Sequence, residues 1–150
     1  ACERPLVPTR LARALAERLD AAKETGEASS VLEKAILGSD PLEDPLELAD
    51  SVLGMVRLRT AGGARRLPDG SAADQALDLA SDRLRASEPG AVHYRLARAL
   101  ALAQRREAAL DSLKRARQAG YLPADQMAGE PDFARILEDP AFQALLKQQP

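Results

Sequence analysis

Side chains suited to covalent or metal chemistry are few in this 150-residue chain, and arginine is the one that clusters. The single histidine, His93, has no Ser or Cys nucleophile at helix spacing and no second His with which to share a metal, so it reads as a packing residue. The single cysteine, Cys2, allows no internal disulfide and no Cys-based metal cluster. Glu43 and Asp44 stand together at a helix start, where the helix dipole accounts for both without acid–base work. Gly62-Gly63 lacks the phosphate-cradling pattern and the lysine of a P-loop, and reads as a flexible loop. No catalytic residue, cofactor or metal site is expected.

What remains is the placement of charge. Between Asp40 and Asp50 the chain carries Asp40, Glu43, Asp44, Glu47 and Asp50 with no basic residue. From Arg95 to Arg117 it carries Arg95, Arg98, Arg105, Arg106, Lys114, Arg115 and Arg117 against only Glu107 and Asp111. Such segregation has two readings: solvated helix faces with ion pairs between elements, or a basic wall that offers bidentate guanidinium groups to an acidic partner. A net charge of −2 argues against a general nucleic-acid binder.

The elements that must position these charges are helices. With 3% aromatic residues and no Trp, the core must be filled by Leu, Ala, Val and Ile, which suits close helix packing better than a β-sandwich. The spacing Ala-x-x-x-Leu-x-x-Ala occurs three times, as Ala28/Leu32/Ala35, Ala73/Leu77/Ala80 and Ala109/Leu113/Ala116. It places small residues around a large one on one helix face, as a helix pressed against a neighbour requires. Leu11-Ala12-Arg13-Ala14-Leu15 recurs as Leu96-Ala97-Arg98-Ala99-Leu100, each time one helix upstream of a triplet. No apolar run approaches the ~20 residues needed to cross a bilayer.

Breakers divide the chain accordingly. Thr9 can cap a helix from Arg10 to about Thr25, with Leu11, Leu15 and Leu19 on one stripe and Gly26 at its end, and a second helix runs to Leu37. Asp44-Pro45 opens a helix carrying Leu48, Val52, Met55 and Val56 to about Arg59. After a loop from Ala61 to Gly70, Ser71 caps a return helix to about Ser87. A third pair comprises about 91–104 and 107–119, with Gly120 as the stop. In the tail, Pro131-Asp132-Phe133 leads into Ile136-Leu137 and Pro140-Ala141-Phe142 into Leu145-Leu146, which predicts two helices that lid the third pair. Pro5, Pro8 and their neighbours make 1–8 a non-helical tether.

Residues 91–123 resemble a tetratricopeptide repeat. Leu96-Ala97 stand for its Leu-Gly, Leu100 for its aromatic, Ala109, Leu113 and Ala116 for its second-helix positions, and Pro123 closes the unit. His93 stands where Trp is usual, Ala97 replaces Gly, Pro123 arrives two residues late, and the triplet spacings of 45 and 36 depart from the family's roughly 34-residue period. The resemblance implies an all-α, monomeric α-solenoid of about three antiparallel hairpins, at about 9–38, 44–88 and 91–120, with capping helices at 130–147. It implies a non-catalytic module that binds a protein or peptide partner in a concave groove, with Tyr94, Arg95 and Arg98 facing the ligand. The Asn and Lys set of the family's carboxylate clamp is missing, so a carboxylate-terminated chaperone peptide is not expected. A non-repeat helical bundle is the alternative architecture.

Two further resemblances bear on function. Ala1-Cys2 followed by the Pro-rich segment resembles the start of a mature bacterial lipoprotein, which implies Cys2 as a lipidation site, a membrane tether and a cell-envelope location. The remnant of a signal peptide on a free periplasmic protein, and a boundary without meaning, are the alternatives to it. On the lipoprotein reading, an assembly factor for a secretion or pilus system is the runner-up function. Arg18, Lys23 and Pro41-Leu42-Glu43-Asp44-Pro45 are distantly similar to small all-helical chorismate mutases, but no further arginine follows near Leu46 to bind a dicarboxylate.

Overall fold

The computed structural model describes residues 9–21, 25–39, 44–60, 67–121 and 124–147. Cys2 and the 1–8 tether, Lys23, Asp40 to Glu43, Gly62-Gly63 and Pro123 lie outside these residues. The described residues form eight α-helices, one 3-10 turn and no strand. Helix α1 spans Thr9–Ala21, α2 Thr25–Leu37, α3 Pro45–Thr60 and α4 Ala72–Leu84. Helix α5 spans Gly90–Leu102, α6 Arg106–Gln118, α7 Ala124–Gly129 and α8 Pro140–Lys147, with the 3-10 turn at Pro131–Phe133. None of them is long and apolar enough to cross a membrane.

Consecutive helices pack in pairs, α1 on α2, α3 on α4 and α5 on α6. Helices α1, α3 and α5 also touch in series, and α2 lies against both α3 and α4. The three Ala/Leu/Ala triplets sit at these contacts, and none of their nine residues is more than 6% exposed. A methyl group is the largest side chain that allows two helix backbones to approach so closely without a gap or a clash.

The duplicated pentapeptide behaves differently in its two places. Leu96 and Leu100 are buried, whereas Leu15 is 47% exposed. The reason is the number of neighbours: α5 is enclosed by α3, α4, α6 and the tail, while among the described residues α1 packs chiefly on α2 and α3. Of the expected leucine stripe of α1, Leu15 faces outward, and the buried residues described on that helix are Ala12 and Ala16. The side chains of Leu11 and Leu19 lie outside the described ones.

Caps account for several of the helix ends. The Leu46 amide donates to Asp44 Oδ1 (3.0 Å), and the Asp74 amide to Ser71 Oγ (3.2 Å), while Asp74 in return accepts from the Gly70 amide (2.9 Å). Gly120, with φ +81°, lets the Tyr121 amide reach the Ala116 carbonyl at 2.9 Å and closes α6. The end of α5 came earlier than the expected Gln104. Gln104 itself takes the left-handed conformation, φ +62°, and the Arg105 amide reaches back to the Leu100 carbonyl at 2.9 Å. A turn made without glycine leaves no mark in the sequence. Gly26 lies inside α2 instead of ending α1.

The tail departs most from expectation. Pro140 does open a helix, because Asp139 Oδ1 accepts from the Ala141 amide at 2.8 Å. Pro131 opens only a 3-10 turn, since the carboxylate of Glu130 is turned to Arg98 and makes no cap bond to the backbone. Phe133 and Phe142 are both fully buried, with ring centroids 5.5 Å apart, and the turn packs on α5. Tyr94 lies 5.8 Å from Phe133 and 5.6 Å from Tyr121, so all four aromatic residues of the chain form one string. Helix α7, which seats Met127 in the core, was not anticipated.

Candidate functional site

A groove of about 520 Å³ runs across α1, α3 and α5. Its floor is apolar, made by Ala16, Leu32, Leu53 and Leu58, and four arginines rise from it: Arg13, Arg57, Arg95 and Arg98. Gly54 keeps the middle of the floor low, and a side chain added there would meet only Leu32, at an ordinary 3.6 Å.

The arginines sit where they do because each helix repeats one device. A buried alanine, Ala12, Ala49 or Ala97, presses the helix against its neighbour, and the next residue turns a charge into the groove: Arg13, Asp50 and Arg98. Asp50 takes Arg13 Nη1 on one carboxylate oxygen (3.1 Å) and Arg95 Nε on the other (2.6 Å). Arg13 also reaches Glu47 at 3.1 Å. Three helices are thereby joined through one aspartate.

At the other end the tail supplies the acids. Asp132 Oδ2 accepts from Arg57 Nη2 and from Arg98 Nε, both at 2.9 Å, and Glu130 Oε1 accepts from Arg98 Nη2 at 3.2 Å. The Asp132 side chain is 9% exposed, whereas Arg57 remains 48% exposed. Of the two readings of the charge segregation, ion pairs between elements are what Asp50, Glu47 and Arg95 make. The guanidinium groups nonetheless line a groove, and each retains N–H donors beyond those pairs.

Of the three expected partner-binding residues, Arg95 and Arg98 come together in the groove and Tyr94 does not. Tyr94 is 4% exposed, covered by Tyr121 and Phe133, and its hydroxyl has no hydrogen-bond partner. Burial, and then the negative charge of Glu130, push its pKa up from 10.0 to about 12. Arg13, Arg57 and Asp132 escaped the reading of the sequence as groove residues, whereas Asp50 stood in the acidic run read as available for ion pairs. Arg13 carried a signal, because it is the counterpart of Arg98 in the duplicated pentapeptide; Asp132 carried none, being indistinguishable from a helix-start acid.

His93 lies outside this groove. It is buried, and its Nε2 lies 2.6 Å from the Ser87 carbonyl, which can only accept, so that nitrogen carries the proton. It lies beside a second cleft of about 400 Å³, between α4, α5 and α6, where Arg105 pairs with Asp74 and Asp78, and Arg115 with Asp111. No set of His, Cys, Asp and Glu that could hold a metal is present among the described residues.

No protein-family model, no curated protein and no solved structure matches the chain. What fold and groove define is an all-helical protein with an arginine-lined surface groove.

Proposed function

We propose that this chain is a non-catalytic protein-interaction module, a monomeric α-solenoid of the tetratricopeptide type, whose groove takes an extended acidic segment of a partner protein. The order of helix contacts supports the architecture, since α1, α3 and α5 follow one another as the first helices of stacked hairpins do, and α2 and α4 meet behind them. The observation that carries the function is the groove itself. Arginines at matching positions of α1 and α5 stand over a leucine floor, a combination that holds carboxylates bidentately and packs the apolar stems between them. Because each guanidinium already meets a carboxylate of this chain, the site suits another acidic chain better than a small dicarboxylate substrate of an enzyme.

The test substitutes none of the ion-paired residues. Gly54→Glu places bulk and negative charge in the floor, where a Cβ has room. A random peptide library displayed on phage is selected on the immobilised protein and on this variant. Binders rich in Asp and Glu that the variant no longer retains are the expected result, with the melting temperature unchanged. Binders without acidic residues, or equal retention by both proteins, would overturn the reading.

A further inference from the structure

All four groove arginines meet carboxylates of the same chain: Arg13 and Arg95 those of α3, Arg57 and Arg98 those of the tail. We propose that the segment Glu130-Pro131-Asp132 is a built-in competitor for the groove, and that the partner's acidic segment gains Arg57 and Arg98 by replacing Asp132 and Glu130. This inference rests on the reading of the groove as a partner site.

Four observations converge on it. Asp132 is not a local helix-start acid: it bridges α3 and α5 through Arg57 and Arg98, residues 75 and 34 positions away in sequence. Glu130 forgoes a backbone cap, adopts extended dihedrals of φ −78° and ψ 116°, and gives its carboxylate to Arg98 instead. Both arginines line the groove, and the acids engage their guanidinium groups from beside it. Finally, Phe133 and Phe142 anchor the segment from beneath, so exchange at the arginines needs only the short stretch around Glu130 and Asp132 to loosen, with its backbone bonds, while the aromatic rings stay seated.

The geometry also specifies the ligand. One carboxylate, Asp132, takes Arg57 and Arg98 on a single oxygen, and a second, on an extended residue two positions earlier, takes Arg98 again. The partner segment is thus acidic-x-acidic, and its apolar neighbours lie on the Leu53 and Leu58 floor. A tethered competitor acts at an effective concentration on the order of mM, so it weakens any ligand that needs the same donors.

The probe is a fluorescent peptide with the sequence of residues 127–134, Met-Ala-Gly-Glu-Pro-Asp-Phe-Ala, titrated by anisotropy into the whole chain. The double variant Glu130→Gln, Asp132→Asn keeps the shape of the tail and removes its charge. It should bind the peptide about tenfold or more tightly than the wild type. Adding Arg57→Gln and Arg98→Gln should erase that gain. Hydrogen exchange of the wild-type tail, which needs no variant, should quicken at 130–134 when the peptide saturates the protein. Equal binding by wild type and double variant, a gain that survives loss of both arginines, or an unchanged or slowed exchange rate would each overturn the competitor while leaving the groove in place. Binding by neither protein would overturn the groove reading as well.

Discussion

Asp132 and Phe133 are adjacent in the chain and serve two junctions held by different physics. Phe133 joins the tail to α5 through an aromatic string that reaches from Tyr121 to Phe142, with Phe133 and Phe142 wholly removed from water. Asp132 joins the same tail to α3 and α5 through guanidinium groups at the edge of a wet groove. Apolar burial is non-directional and scales with area, so the aromatic junction carries stability. Ion pairs at a groove edge offset much of their attraction by desolvation, so they contribute less net free energy than the rings but fix which charge meets which. The aromatic side therefore holds the tail in place, and the ionic side can exchange partners without releasing it.

The strongest way to break that contrast is to truncate each side in turn. Phe142→Ala should cost ~3–5 kcal/mol, because a fully buried ring leaves a cavity that its neighbours fill only in part. Asp132→Asn, which keeps the volume and removes the charge, should cost ~1–2 kcal/mol or less. Chemical denaturation of the two variants decides the matter. If Asp132→Asn proved the costlier, the tail would be an ionic clasp and could not exchange with a ligand.

How much of this was legible beforehand follows the same divide. Periodic burial writes itself into sequence, and the Ala28, Ala73 and Ala109 triplets marked the helix contacts because small residues recur wherever two helix axes come close. Ser71 and Asp44 marked helix starts for an equally local reason. The groove was legible as a basic run and an acidic run, but not in their pairing. Arg95 and Arg98 stood out as a charge cluster, but their acids arrive from α3 and from the tail, and no local pattern records which carboxylate a distant arginine will meet. Tyr94 was misplaced because the side of α5 that carries it is polar or apolar only according to what Phe133 and Tyr121 later cover. The turn at Pro131 was read as a helix because Glu130 looks like a cap until Arg98 takes it.

A smaller effect sharpens the comparison within the ionic side. Arg98 and its partners Asp132 and Glu130 are more buried than Arg13 and its partners Glu47 and Asp50, even though the two arginines occupy equivalent places in the duplicated pentapeptide. Arg98→Gln should cost ~1–3 kcal/mol, since it strips a hydrogen-bonded charge from a nearly buried carboxylate. Arg13→Gln should cost ~0–1 kcal/mol and lose even that at high salt. Melting curves at low and high ionic strength separate the two. Equal costs would mean that the tail adds no burial to the network and that the groove is uniform from end to end.

The smallest effect lies between the two sides, at Tyr94, whose ring belongs to the aromatic string and whose hydroxyl lies near Glu130 without a hydrogen-bond partner. In the folded protein its pKa is raised from 10.0 to about 12, so between those values the unfolded chain loses the proton while the folded chain retains it. The contribution is fully present below about pH 10 and is lost as pH rises through about 12. Tyr94→Phe keeps the ring and removes the titration. At pH 7 it should be close to neutral or slightly stabilising, because a buried hydroxyl that makes no bond is given up. In alkali its melting temperature should fall less steeply than that of the wild type, the difference between the two curves cancelling the titration of every other group. Parallel curves would show that Tyr94 is solvated, and a clear loss of stability at pH 7 would show that its hydroxyl does bond, to Glu130 or to the groove network behind it. Either result would merge the aromatic and ionic junctions into one, and a tail so fastened could not release Asp132 alone.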